Sequence, residues 1–196
     1  MITINPTHKY SLENILFVFA LEMEAGEIFH HHNKLFTGIG KLNASYELTK
    51  AIHQKKPELI VNLGSAGSSQ FSKGDVVCCT QFVQRDMDVR GLGYELYETP
   101  FSGVPTVLQY GLPMESLPAG ICGTGDSFEM GHSETKYDVV DMEAYALATI
   151  AMKEKIPFLC LKYISDGADD NAADDWTVLV HKAAVAFGEI LQINRY

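Results

Sequence analysis

Apolar residues fall in short unbroken runs and in helix-period rows, and the two kinds alternate along the chain. Ile15 to Leu21 is continuously apolar, as a strand buried on both faces would be, and Glu22 to His32 follows with a mostly helical composition. Lys34 to Gly40 is a short segment that ends in a glycine pair. From Lys41 to Lys56, Leu42, Tyr46, Leu48, Ala51 and Ile52 recur near helical spacing until Pro57 closes the segment, which predicts a second helix. Glu58 to Leu63 reads as a strand running into a loop, Gly64-Ser65-Ala66-Gly67-Ser68-Ser69, whose small residues let backbone approach a ligand closely. Asp75 to Val83 is the next strand.

Arg85 to Pro118 is polar and aromatic and is broken by Pro100, Pro105 and Pro113, so it is expected to be loop with short strands, a candidate lid or interface. Ala119 to Gly123 is a small apolar run ending in Gly-Thr-Gly, and Phe158 to Ile164 is a further strand. Between them Met142 to Lys153 is apolar nearly all round, as suits a helix at the centre of a domain. Leu179, Ala183, Ala186, Phe187, Ile190 and Leu191 fall at i, i+4, i+7, i+8, i+11 and i+12, an amphipathic helix that packs on one face of a sheet.

Strands alternating with helices imply an α/β fold with a largely parallel sheet and helices on both faces. No internal repeat, low-complexity tract or linker divides the chain, so residues 1–196 are expected to form one domain. Ligands of such folds sit at the carboxyl ends of the strands, where Glu22, Glu24, the Gly64 segment, Asp126 and Asp166 fall.

Composition narrows the partners. The net charge of −10, from 15 Lys+Arg against 25 Asp+Glu, argues against nucleic acid or an anionic membrane and is compatible with a neutral small molecule. Ile15 to Leu21 is too short to span a bilayer and no basic segment before it resembles a signal peptide, so a cytoplasmic location is expected. Cys78, Cys79, Cys122 and Cys160 lie in apolar runs without C-x-x-C spacing and read as buried free thiols. His30, His31 and His32 would point in three directions on a helix, which suits a solvated helix end rather than a metal site. Neither metal nor cofactor is expected.

Six motifs stand in one order: Ala20-Leu-Glu-Met-Glu24, Thr37-Gly-Ile-Gly-Lys41, Asn62-Leu-Gly-Ser-Ala-Gly67, Gly125-Asp-Ser-Phe128, Val140-Asp-Met-Glu-Ala144 and Ile164-Ser-Asp-Gly-Ala-Asp169. Together they resemble the purine nucleoside phosphorylase superfamily and, within it, the 5′-methylthioadenosine/S-adenosylhomocysteine nucleosidase family. Arg85-Asp-Met-Asp-Val-Arg-Gly-Leu-Gly-Tyr94 is similar to that family's substrate-side loop, so the resemblance spans about residues 15–190. It implies a three-layer α/β/α fold whose central mixed sheet is partly curled into a barrel and flanked by helices. It also implies a homodimer that completes each site.

Breaking a ribosyl-adenine bond leaves negative charge on the base and positive charge on the sugar, so two oppositely tuned carboxyl groups suit the reaction. By resemblance, Asp166 is the acid that protonates adenine N7, and burial near other carboxylates would keep it partly protonated. Ser165 orients it. Glu24 matches the glutamate that activates the hydrolytic water, although a Glu in a helix's first turn is also ordinary dipole chemistry. Glu22, one step around the helix, would be solvated. Glu143 matches the ribose-binding glutamate, and Met142 the residue that packs on the ribose face.

Lys162 stands where many family members carry an arginine near the catalytic water, and its i to i+4 spacing on a strand puts it on Asp166's side. Phe128 matches the aromatic that stacks on the purine, and the backbone of Glu129 would read the adenine edge. The loop with Ser65, Ala66 and Gly67 would lie under base and sugar, with Ile39 and Leu21 flanking the 5′ substituent and Trp176 closing the pocket. Val89, Leu92 and Tyr94 would reach the partner's site.

Two positions bear on hydrolysis against phosphorolysis. Bacterial phosphorylases of the superfamily carry an arginine where Gly74 precedes Asp75-Val76-Val77, and Glu24 adds negative charge where phosphate would sit; both point to water, so the resemblance implies hydrolysis of a 5′-modified adenine nucleoside with release of adenine. The alternatives are a phosphorylase drawing its cation from Arg85 or Lys41, and a catalytically silent nucleoside-binding module. The chain departs from the family in its short connections between Tyr94 and Gly120 and between Phe128 and Val140, and in Asp141, a substrate-side carboxylate where the family has glutamate. The 5′ substituent stays open.

Overall fold

The structure is a computed structural model that describes residues 1–5, 7–128, 136–169 and 172–193. In chain order its strands are β1 (Ile2–Asn5), β2 (His8–Tyr10), β3 (Ile15–Phe19), β4 (Lys34–Phe36), β5 (Leu59–Gly67), β6 (Val76–Gln84), β7 (Leu108–Gln109), β8 (Ala119–Thr124), β9 (Val139–Asp141) and β10 (Phe158–Asp166). The helices are α1 (Glu22–Ala25), α2 (Lys41–Gln54), α3 (Ala144–Glu154) and α4 (Ala172–Ile190).

Parallel pairing joins β4 to β3, β3 to β5 and β5 to β10. β10 then pairs antiparallel with β6, β6 runs parallel to β8, and β8 to β9. β9 returns antiparallel to β5 through Gly67 and Val140, so β5, β10, β6, β8 and β9 close a ring. The sheet is largely parallel, as the alternation of runs suggested, and the antiparallel pairs β10–β6, β6–β7 and β9–β5 make it mixed and close part of it into a barrel; an apolar run records burial and is blind to strand direction, so those pairs left no mark in the sequence.

Leu48 and Ile52 of α2 and Leu147 and Ala151 of α3 pack on one face with Val18, Ile60 and Cys160. On the other face Ala25 of α1 and Ala183, Phe187 and Leu191 at the α4 end meet Phe17, Leu63 and Leu161. This is the three-layer arrangement. All four cysteines are buried free thiols. Among the described residues no helix is long and apolar enough to cross a membrane.

Several boundaries differ from the sequence reading. The helix expected over Glu22 to His32 stops after Ala25, because Gly26 has φ +51° and ψ −165° and a Cβ there would stand 3.1 Å from Ala184 Cβ. A single 3₁₀ turn follows at Glu27–Phe29; His30 and His31 are exposed as expected, whereas His32 is half-buried and packs edge-on to Phe17 and Phe29. β5 continues through Gly64 to Gly67, which are strand and not loop. α3 starts at Ala144, two residues after the predicted start, which releases Glu143 from the helix. β1 pairs with β2 as a separate antiparallel hairpin that the run pattern did not reveal. Leu42 and Tyr46 sit at helical spacing on α2 yet face away from the core.

Candidate active site

Gly67 and Val140 pair antiparallel at the last turns of their strands, so the carboxyl ends of β3, β5 and β10 meet those of β8 and β9 head on. A cavity of about 220 Å³ opens there, the size scale of one small molecule. Leu21 and Glu24 reach it after β3, Ser65, Ala66 and Gly67 from β5, and Ser165 and Asp166 from β10. Phe128 follows β8, Asp141 ends β9 with Met142 and Glu143 directly after it, and Ile39 and Trp176 also line the wall. Thirteen residues that the sequence nominated thus line one cavity.

Glu24 is held by three donors. Leu21 precedes α1 in extended conformation with no side-chain acceptor, and the Glu24 carboxylate reaches back to its N–H, with Oε2 accepting at 3.0 Å. Oε1 accepts the N–H and the hydroxyl of Ser65, each at 2.9 Å. A carboxylate oxygen has two lone pairs, so Oε1 is filled and Oε2 keeps one acceptor site. Glu22 is exposed and lies outside the cavity.

Asp166 ends β10 across a register shift at Ser165. Its Oδ2 accepts the Ser165 hydroxyl and its Oδ1 the Ala168 N–H, each at 2.9 Å. Burial pushes its carboxyl above the usual range, against those two hydrogen bonds. Gly67 makes room for it: a Cβ at that position would stand 2.5 Å from Asp166 Oδ1. Any side chain there would displace the aspartate.

Glu143 directly precedes α3, and its Oε1 accepts the Gly40 N–H at 2.8 Å. Burial, and after it the charge of Asp141, pushes its carboxyl up to about 8. Asp141 is the hub behind it. Its Oδ2 accepts the N–H groups of Glu143 and Ala144 at 3.2 and 2.8 Å, capping α3, while Oδ1 takes the Thr124 hydroxyl at 2.5 Å.

Lys162 does not line the cavity, contrary to the placement that strand alternation gave it. The irregular register at Ser165 breaks the alternation between Lys162 and Asp166. Its ammonium lies 2.8 Å from Asp141 Oδ2, with side chains 2% and 1% exposed. Burial opposes both charges, but their mutual attraction holds the Asp141 carboxyl below its usual range and the Lys162 ammonium above its own. A Cβ on Gly64 would stand 3.5 Å from Lys162 Nζ and 3.3 Å from Glu24 Oε1, so both groups border the same glycine.

Four lining residues were not nominated as substrate contacts: Ala20, Arg85, Ser127 and Val140. Ser127 and Val140 stand inside motifs quoted above, and position within the motif was their only sequence signal. Arg85 donates to the Ser127 hydroxyl at 3.1 Å, to the Ser127 carbonyl and to the Gly125 carbonyl at 3.5 Å. Asp126, expected on the rim, instead accepts the Lys41 N–H at 2.8 Å outside the cavity. Glu129 lies outside the described residues. Val89, Leu92 and Tyr94 do not line the cavity of their own chain.

A sequence model described as the Phosphorylase superfamily matches residues 22–193. The 5′-methylthioadenosine/S-adenosylhomocysteine nucleosidase of Staphylococcus saprophyticus is 30% identical over 79% of this chain and 77% of its own. The chain belongs to the 5′-methylthioadenosine/S-adenosylhomocysteine nucleosidase family of the phosphorylase superfamily. The nucleosidase fold extends to solved structures at lower identity. The Helicobacter pylori 5′-methylthioadenosine/S-adenosylhomocysteine nucleosidase superposes with a TM-score of 0.83 at 21% identity, covering 93% of this chain and 97% of its own. Futalosine hydrolase of Helicobacter pylori superposes with a TM-score of 0.82 at 21% identity, covering 92% and 96%.

Proposed function

We propose that this nucleosidase hydrolyses the N-glycosidic bond of 5′-modified adenine nucleosides, such as 5′-methylthioadenosine or S-adenosylhomocysteine, releasing adenine. The observation that carries this reading is the convergence of Glu24, Glu143 and Asp166 on one cavity with Asp141 behind them. Asp166, whose carboxyl is pushed up by burial, gives its proton to adenine N7 as the bond breaks. Water, its proton drawn to the remaining acceptor site on Glu24 Oε2, adds to C1′ of the sugar. The pair works as the acid and base of an inverting glycosidase do.

Glu143 hydrogen-bonds the ribose 2′ and 3′ hydroxyls. Phe128 stacks on the purine, Met142 packs on the ribose, and Leu21 and Ile39 flank the 5′ group. Lys162 acts on the site through Asp141, whose charge it balances behind the cavity wall.

Phosphorolysis fits less well. A phosphate would enter beside the Glu24 carboxylate, where low dielectric strengthens repulsion. Lys41 is drawn off to Asp86 at 2.5 Å and Asp126 at 3.4 Å, and Arg85 is engaged by Ser127 and Gly125. Identifying the sugar product tests the choice: free sugar supports hydrolysis, sugar 1-phosphate formed only with phosphate supports phosphorolysis, and no base release leaves a binding module.

A homodimer belongs to the same reading. Leu42 and Tyr46 on the outer face of α2 are 81% and 64% exposed, and Leu92 and Phe101 are 76% and 97% exposed. Exposed large apolar side chains in such number mark an interface. Ile39 and Phe128, half-exposed in the cavity wall, would be covered by it. Val89, Leu92 and Tyr94 suit residues that reach the partner's cavity.

A further inference from the structure

Trp176 is the sole tryptophan of the sequence and stands in the second turn of α4. Its indole Nε1–H donates to Ser65 Oγ at 2.9 Å. The Ser65 hydroxyl in turn donates to Glu24 Oε1 at 2.9 Å, beside the second bond from the Ser65 N–H. An indole nitrogen only donates and a serine hydroxyl carries one proton. With the indole proton on one Oγ lone pair, the hydroxyl proton is directed to the carboxylate, and each bond polarises the next.

The packing of α4 does not call for an indole here. The helix is anchored by Ala183, Phe187 and Leu191, which are buried in the core, whereas Trp176 is half-buried at the cavity. A phenyl ring would cover the same wall without supplying a proton.

We propose that Trp176 is a positioning residue for water activation: its N–H fixes the Ser65 hydroxyl, which pins Glu24 Oε1 and leaves Oε2 to the water. The proposal rests on the hydrolase reading above and adds a coupling to it, since a substrate that presses on the indole wall also acts on the base.

The test is steady-state adenine release from 5′-methylthioadenosine by the wild type, Trp176→Phe, Ser65→Ala and the double variant, with a thermal midpoint for each. Trp176→Phe is expected to keep the wild-type midpoint and KM and to lose about three- to ten-fold in kcat, the worth of one neutral hydrogen bond. The double variant should be no slower than Ser65→Ala alone, because both act through one chain of donors. Wild-type kcat in Trp176→Phe, a loss confined to KM, or additive losses in the double variant overturns the relay while the hydrolase reading stands. A wild type that releases no base from any adenine nucleoside sinks both. If Trp176→Phe does not fold, Ser65→Ala decides through the emission of the sole tryptophan: a shifted spectrum supports the hydrogen bond, and an unchanged one overturns it.

Discussion

The carboxylate of Glu143 accepts the backbone N–H of Gly40 at 2.8 Å, a bond that ties the start of α3 to the start of α2 across 103 residues of sequence. That single N–H does not offset burial and the neighbouring Asp141 charge, which push Glu143 from 4.5 up to about 8. The proton is therefore bound more tightly in the folded chain than in the unfolded one. Stability contributed by the protonated form is fully present below about pH 4.5 and is lost as pH rises through about 8. Glu143→Gln should match the wild type in thermal midpoint at the acid end of that window and exceed it at the alkaline end. A constant difference across the window would contradict the shift.

Asp166→Asn keeps an acceptor for the Ala168 N–H but removes the transferable proton. We expect a folded protein whose base release falls on the order of 100-fold or more. In the wild type the rate should decline on the alkaline side, as the raised Asp166 carboxyl loses its proton. Retained turnover in the variant, measured by adenine absorbance, would remove Asp166 as the acid.

Lys162→Met strands Asp141 without its cation in a buried site. Breaking a buried pair from one side costs about 3–5 kcal/mol, which lowers the thermal midpoint by roughly 10 °C in a chain of this length. Adding Asp141→Asn should recover part of the loss, because no buried charge is then left over. Calorimetry of the two variants measures both effects, and an unchanged midpoint in Lys162→Met would contradict the pairing.

Leu42→Glu with Tyr46→Glu places two charges on the exposed face of α2 without touching the core. Sedimentation should give a dimer for the wild type and a monomer for the variant, with base release reduced in the monomer. A monomeric wild type with full activity would refute the shared site.

The parts of this molecule that were legible in its sequence are those where one local pattern has one physical meaning. The row ending in Ile52 before Pro57 delimits α2, and the unbroken apolar run from Ile15 gives β3. Ambiguity entered where tertiary contact decides. Leu42 and Tyr46 share the period of the buried Leu48 but not its burial, since periodicity does not say how wide the core face is. The segment from Gly64 to Gly67 has loop composition because Glu24 and Asp166 leave no room for a side chain at Gly64 or Gly67, yet it stays in β5 by pairing with Lys162 to Asp166 of β10. Lys162 kept its alternation with Asp166 only on paper, because an irregular pairing at Ser165 leaves no mark in composition. Glu24 and Asp166 came from motif order, and no isolated feature of either residue would have singled them out.

In the proposed reaction, water activated by Glu24 attacks an adenine nucleoside. The most direct measurement is product analysis across a panel of 5′-modified adenosines in water labelled with heavy oxygen, with and without phosphate, for the wild type and Glu24→Gln. The expected result is labelled free sugar and adenine from the wild type at a rate indifferent to phosphate, and collapse of that rate in Glu24→Gln with nucleoside binding retained. Sugar 1-phosphate as the product, or an undiminished kcat in Glu24→Gln, would contradict it.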